Sequence, residues 1–109
     1  MDWNQAKKNI ANIKIGTHLD KSSNYRRVIS VDENYFTVSI GKNTNIKIPW
    51  STLKECFSQL INSGVYDSDY FQENFSTEYK KHTCYVHVIG QIFVAAGIAK
   101  RIDWKYAPK

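Results

Sequence analysis

The sequence predicts an α+β domain: a small antiparallel sheet, made of a three-stranded meander plus a C-terminal strand, with two to four helices packed on one face. Three observations carry this. Residues 25–48 are rich in β-branched and aromatic residues, broken at short polar turns. Two later segments, 53–61 and 83–96, repeat apolar residues with the helical period. The strands come as a block rather than alternating with helices, which argues against a parallel βαβ sheet.

The first helix is capped by Asp2 and carries Trp3, Ala6, Ile10 and Ile13 on one face, with Lys7, Lys8 and Lys14 turned away. A polar connector, Gly16 to Asn24, leads into strands at Tyr25–Val31 and Tyr35–Ile40, joined by Asp32-Glu33-Asn34. The turn Gly41-Lys42-Asn43-Thr44 brings in a third strand, Asn45–Ile48, in which polar and apolar residues alternate. Pro49 cannot donate to a ladder and closes that strand. Ser51 is the expected N-cap of the next helix, whose stripe is Leu53, Cys56, Phe57, Leu60 and Ile61, with Gly64 as its left-handed terminator. Ser68 or Asp69 would cap a short helical turn bearing Tyr70, Phe71 and Phe75. From Thr83 a strong helix runs to about Ala96, burying Tyr85, Val88, Ile89, Ile92, Phe93 and Ala96, with Gly97 as its cap. Gly90 inside it costs about 1 kcal/mol against alanine and so marks a close approach of another segment. The alternation of Ile102, Trp104 and Tyr106 against Arg101, Asp103 and Lys105 predicts one last strand on the edge of the meander.

A chain of 109 residues with 42% apolar and 14% aromatic residues builds one modest core, and its length predicts a single domain. No apolar run approaches the ~20 residues of a membrane span, and the first residues lack the apolar stretch of a secretory signal. Cytosolic residence follows as the expectation, with Cys56 and Cys84 as free thiols. Fifteen Lys and Arg against ten Asp and Glu give a net charge of +5. That excess favours polyanionic partners, through release of counterions from phosphates.

Four constellations could carry chemistry. Asp67 or Asp69 followed by Glu78-Tyr79-Lys80 imitates the carboxylate and E-x-K spacing of Mg²⁺-dependent nucleases. That motif needs a buried strand, whereas the surrounding NFSTEYKKHT reads as a solvated loop. His82, Cys84 and His87 offer metal-ligand types, but without the second paired segment that zinc sites use. Cys84 and His87, as nucleophile and base, would lack oxyanion donors and an orienting third group. No cofactor or metal is expected from any of these. The fourth constellation is a basic surface: Arg26, Arg27, Lys42 and Lys47 in the meander, Lys80 and Lys81 before the long helix, and Lys100 and Arg101 in the last strand. Asn43 and Asn45 stand among them as polar readers. Neither a phosphate-binding glycine loop nor the aromatic RNA-recognition motif is present.

The segments Ile48-Pro49-Trp50-Ser51-Thr52-Leu53, Gly64 and Cys84-Tyr85-Val86 resemble a small accessory module of restriction-modification and phage-defence proteins. The likeness spans residues 25 to 97. It implies a role beside DNA in bacteria or their phages, with Trp50 where such modules more often carry a basic residue. Together, charge and resemblance point to a non-enzymatic DNA-binding module. The alternative is a protein-interaction module that inhibits or scaffolds a nuclease or defence complex, using Trp50, Tyr66 and Tyr70 as exposed aromatic anchors.

Overall fold

The computed structural model describes residues 1–109. The elements run α1 (Trp3–Ala11), β1 (Val28–Val31), β2 (Tyr35–Ser39), β3 (Asn45–Pro49), α2 (Trp50–Ser63), α3 (Ser68–Asn74), α4 (Ser76–Lys81), α5 (Tyr85–Ala95), β4 (Ala99–Ile102) and β5 (Lys105–Pro108). The fold is α+β. None of its helices is long and apolar enough to cross a membrane.

The meander forms as its pattern requires. Phe36 pairs with Ile48 and Val38 with Ile46, so the inward residues of β2 and β3 meet on one face and are buried. Thr37 and Lys47 pair on the other face. The sheet order is β1-β2-β3, which leaves one edge of β3 unpaired within the sheet. The first strand is shorter than expected because Arg26 takes a positive φ of 61° and a register shift falls between Val28 and Ser30.

The C-terminal segment departs from the single edge strand. Ile102 pairs with Lys105 around an Asp103-Trp104 turn, so β4 and β5 form a separate hairpin. A backbone bridge joins Tyr106 to Tyr66. Period-two alternation is the same for one long strand and for a hairpin with a two-residue turn, and so the pattern could not separate them.

Helix α5 is the hub of the packing. It is buried nearly all round, Val86, Gly90 and Gln91 included, because α1, α3, α4 and β4 all pack against it. It begins at Tyr85, two residues later than expected, with Cys84 at the cap position. Its end is a Schellman motif: Ile98 N donates to Phe93 O, Gly97 N to Val94 O, and Gly97 has φ 74°. Its one interior glycine is explained by Tyr106, whose ring occupies the space where a Cβ of Gly90 would stand.

Of the other helix starts, one is as expected and two differ in detail. Asp2 caps α1 through Gln5 N, as expected. Helix α2, however, starts at Trp50 with Pro49 in the cap position, leaving Ser51 exposed inside the first turn. The indole Nε1 of Trp50 donates to Asp32 O at 2.8 Å, which anchors that start. Leu53, Cys56, Phe57 and Leu60 are buried, while Ile61, at the rim of the stripe, stays 39% exposed. Asp67, one residue before the expected caps, caps α3 by accepting from Tyr70 N at 3.0 Å.

Candidate nucleic-acid interface

The unpaired edge of β3 faces the junction of α4 and α5 across a groove. Two adjoining clefts of about 300 and 250 Å³ make it up. Lys47, Lys81 and Tyr85 line both. Asn45, Ile46 and His82 complete one end, and Pro49, Thr52, Thr77 and Glu78 the other. Alternation along β3 places Asn45 and Lys47 outward while Ile46 and Ile48 enter the core. Lys81 stands in the last turn of α4, where a cation also complements the helix dipole. Lys47 extends its ammonium over the Tyr35 ring, 5.7 Å from the centroid, which holds the charge at the sheet surface. Burial pushes the Tyr85 phenol above its usual range, so it stays a neutral hydroxyl.

Of the ten residues expected at a nucleic-acid surface, the structure brings Asn45, Lys47 and Lys81 to this groove. Lys42 and Asn43 are exposed at the β2–β3 turn, and Lys80 is exposed on α4. Lys80 and Lys81 close a helix of their own rather than leading directly into the long one, and Glu78-Tyr79-Lys80 lies on that helix instead of in a loop.

The arginines are engaged elsewhere. Arg26 Nη1 reaches Gln91 Oε1 at 3.1 Å and Asp20 Oδ2 at 3.8 Å, pinning the connector to α5. Hydrogen bonds from Ser22, then the charge of Arg26, hold the Asp20 carboxyl below the usual range. Arg27 Nε lies 2.6 Å from His18 Nε2. On the hairpin Lys100 is exposed, while Arg101 spreads over the Tyr106 ring and donates Nε to Asp103 O at 2.9 Å.

The aromatics expected as protein anchors are placed differently. Tyr66 is fully buried, its hydroxyl donating to Val86 O at 2.9 Å, and Trp50 is only 9% exposed. Each fills the core and finds a carbonyl for its polar tip, Asp32 O for Trp50 and Val86 O for Tyr66. Tyr70 is half-buried and lines an open cleft beside α2 with Lys54, Glu55 and Gln59.

No three His, Cys, Asp or Glu side chains converge. His87 Nδ1 is instead within 3.1 Å of the Tyr106 hydroxyl, and burial, with Arg101 and Arg26 nearby, lowers its pKa below the usual 6.5. Cys56 and Cys84 are free thiols, both raised by burial. The groove residues Thr52, Thr77 and Tyr85 were not legible as site residues, since each reads locally as part of a helix. His82 stands out in the sequence as a metal-ligand type, and here it lines the groove instead. No family model, curated protein or solved structure matches this chain.

Proposed function

We propose that this chain is a non-enzymatic nucleic-acid-binding module, with DNA as the favoured ligand, acting in the bacterial cytoplasm in phage defence or counter-defence. The defence setting rests on the resemblance of the Ile48–Leu53, Gly64 and Cys84–Val86 segments. The binding function rests on one observation: Lys47 and Lys81, far apart in sequence, line the same groove with the Asn45 amide and His82. Two lysines lining a common channel can reach consecutive phosphates, and an amide beside them can read a base edge. Glu78 at the other end repels phosphate and favours the Asn45–His82 end for the backbone. The +5 net charge supplies the long-range attraction.

Anisotropy titrations of labelled duplex and single-stranded DNA from about 50 to 200 mM salt test this. Affinity should fall steeply with salt. Lys47→Ala/Lys81→Ala should weaken binding and flatten the log–log salt slope by about 2, near one per lysine. Lys8→Ala/Lys14→Ala, with the same loss of charge on another part of the surface, should keep most of the affinity. No binding at about 50 mM salt, where phosphate contacts dominate, or equal losses from both double variants, would refute the assignment.

A further inference from the structure

We propose that the tip of the β4–β5 hairpin, together with the start of α3, forms a cleft that stacks one unpaired nucleobase bearing an exocyclic amine. This rests on the nucleic-acid reading above and adds a second, base-selective contact to it. Trp104 is 77% exposed, more than any other large apolar side chain in the molecule. Nothing in the fold requires an indole there: the hairpin is anchored through Tyr106, which is fully buried, and through its bridge to Tyr66.

The tip is braced. Asp103 takes a positive φ of 55°, uncommon for a residue with a side chain, and its carbonyl accepts from Arg101 Nε at 2.9 Å. The guanidinium of Arg101 is in turn laid over the Tyr106 ring. The indole is therefore presented from a fixed turn, which lowers the ordering cost of binding.

Beside it lies a cleft of about 240 Å³ lined by Asp67, Ser68, Asp69, Trp104 and Lys105. A flat aromatic wall with carboxylates at its edge suits a base and not a phosphate. The ring stacks on the indole, and a carboxylate accepts from the amine of cytosine, adenine or guanine. Thymine and uracil have no such amine. Asp67 Oδ1 is occupied by Tyr70 N, so its other oxygen and the exposed Asp69 carboxylate are the free acceptors. Lys105 is placed to meet the phosphate next to the stacked base. An anionic lipid surface, for which an exposed Trp beside Lys could otherwise serve, presents no planar ring to stack on the indole. Because a paired base is already stacked in its duplex, the ligand is a single-stranded segment.

The test uses oligo-dC, oligo-dA and oligo-dT of equal length, with anisotropy for affinity and tryptophan emission for contact. Trp50 is buried and Trp3 half-buried, so emission changes report chiefly on Trp104. Oligo-dC and oligo-dA should quench emission and bind more tightly than oligo-dT. Trp104→Ala should weaken oligo-dC binding about tenfold, Trp104→Phe should retain most of it, and Asp69→Ala should reduce the preference over oligo-dT. If Trp104→Ala binds like the parent while Lys47→Ala/Lys81→Ala does not, the cleft is refuted and the groove stands. Failure of every oligonucleotide to bind refutes the cleft, and the groove falls with it only if duplex DNA also fails to bind. A preference for oligo-dT, or emission changes with phosphatidylserine vesicles and none with oligonucleotides, also overturns the cleft.

Discussion

Replacing Gly90 by alanine should destabilise this protein, although in an ordinary exposed helix the same change stabilises. The helix-propensity gain is about 1 kcal/mol. Against it, a Cβ built on Gly90 would lie 2.6 Å from Tyr106 Cδ2 and closer still to Cε2 and Cζ. The atoms it meets belong to a rigid ring in a residue whose backbone is tied to both Tyr66 and Arg101. Contacts this short cannot persist, so the ring itself must move. Overpacking of this kind costs about 1–3 kcal/mol, and loss of the Tyr106–His87 hydrogen bond about 1 more. The net is a loss of about 1–3 kcal/mol. At roughly 4 °C or more per kcal/mol for a domain of this size, thermal unfolding should move down by about 5–15 °C. The decisive assay is a double-mutant cycle by chemical denaturation. In a Tyr106→Ala background the obstruction is gone, and Gly90→Ala should then stabilise by up to about 1 kcal/mol. A Gly90→Ala protein as stable as the parent, or the same sign of effect in both backgrounds, would refute the argument.

His87 should give stability a pH dependence of defined sign. Its folded pKa is depressed below 6.5 by burial, then by Arg101 and Arg26, so the unfolded chain takes up the proton first. Stability is then complete above about pH 6.5 and is lost as pH falls from there through the folded pKa. Urea midpoints measured across this range should drop in the parent and much less in His87→Asn. The Asp20 and Asp32 carboxyls, held below 3.8 by their hydrogen bonds, act only in a lower and separate window. Thiol labelling should be staged: Cys84, half-buried, reacts in the native protein, whereas buried Cys56 reacts only at the rate of unfolding. Mass spectrometry after timed alkylation distinguishes the two sites.

The meander and the faces of α1 and α2 were legible because their cores follow local periods of two and 3.6 residues. Phe36, Val38, Ile46 and Ile48 had to be buried together, and Gly64 had to end its helix. Gly90 was legible as a close approach but not its partner, since Tyr106 arrives from a turn whose position alternation does not mark. Tyr66 and Trp50 misled because burial of an aromatic with a polar tip depends on a carbonyl supplied from elsewhere in the chain, Val86 O and Asp32 O here. The groove was legible by half. Outward Asn45 and Lys47 follow from the strand pattern, but their meeting with Lys81 is a product of how α4 and α5 dock beside β3. Arg26 shows the converse: its charge could be counted from sequence, whereas its capture by Asp20 and Gln91 could not.

The hairpin divides its duties along its length. Ala99 and Tyr106 fasten it to the body, while Ile102, Asp103, Trp104 and Lys105 stay in solvent. Residues in the second group share few partners with the core, so substitutions there should add to the rest of the molecule nearly independently. Selection can therefore rewrite the tip without re-solving the fold, much as a tool handle accepts different heads. Among descendants of this chain, the spacing from Gly90 to Tyr106 should hold while the residues between Ile102 and Tyr106 diverge.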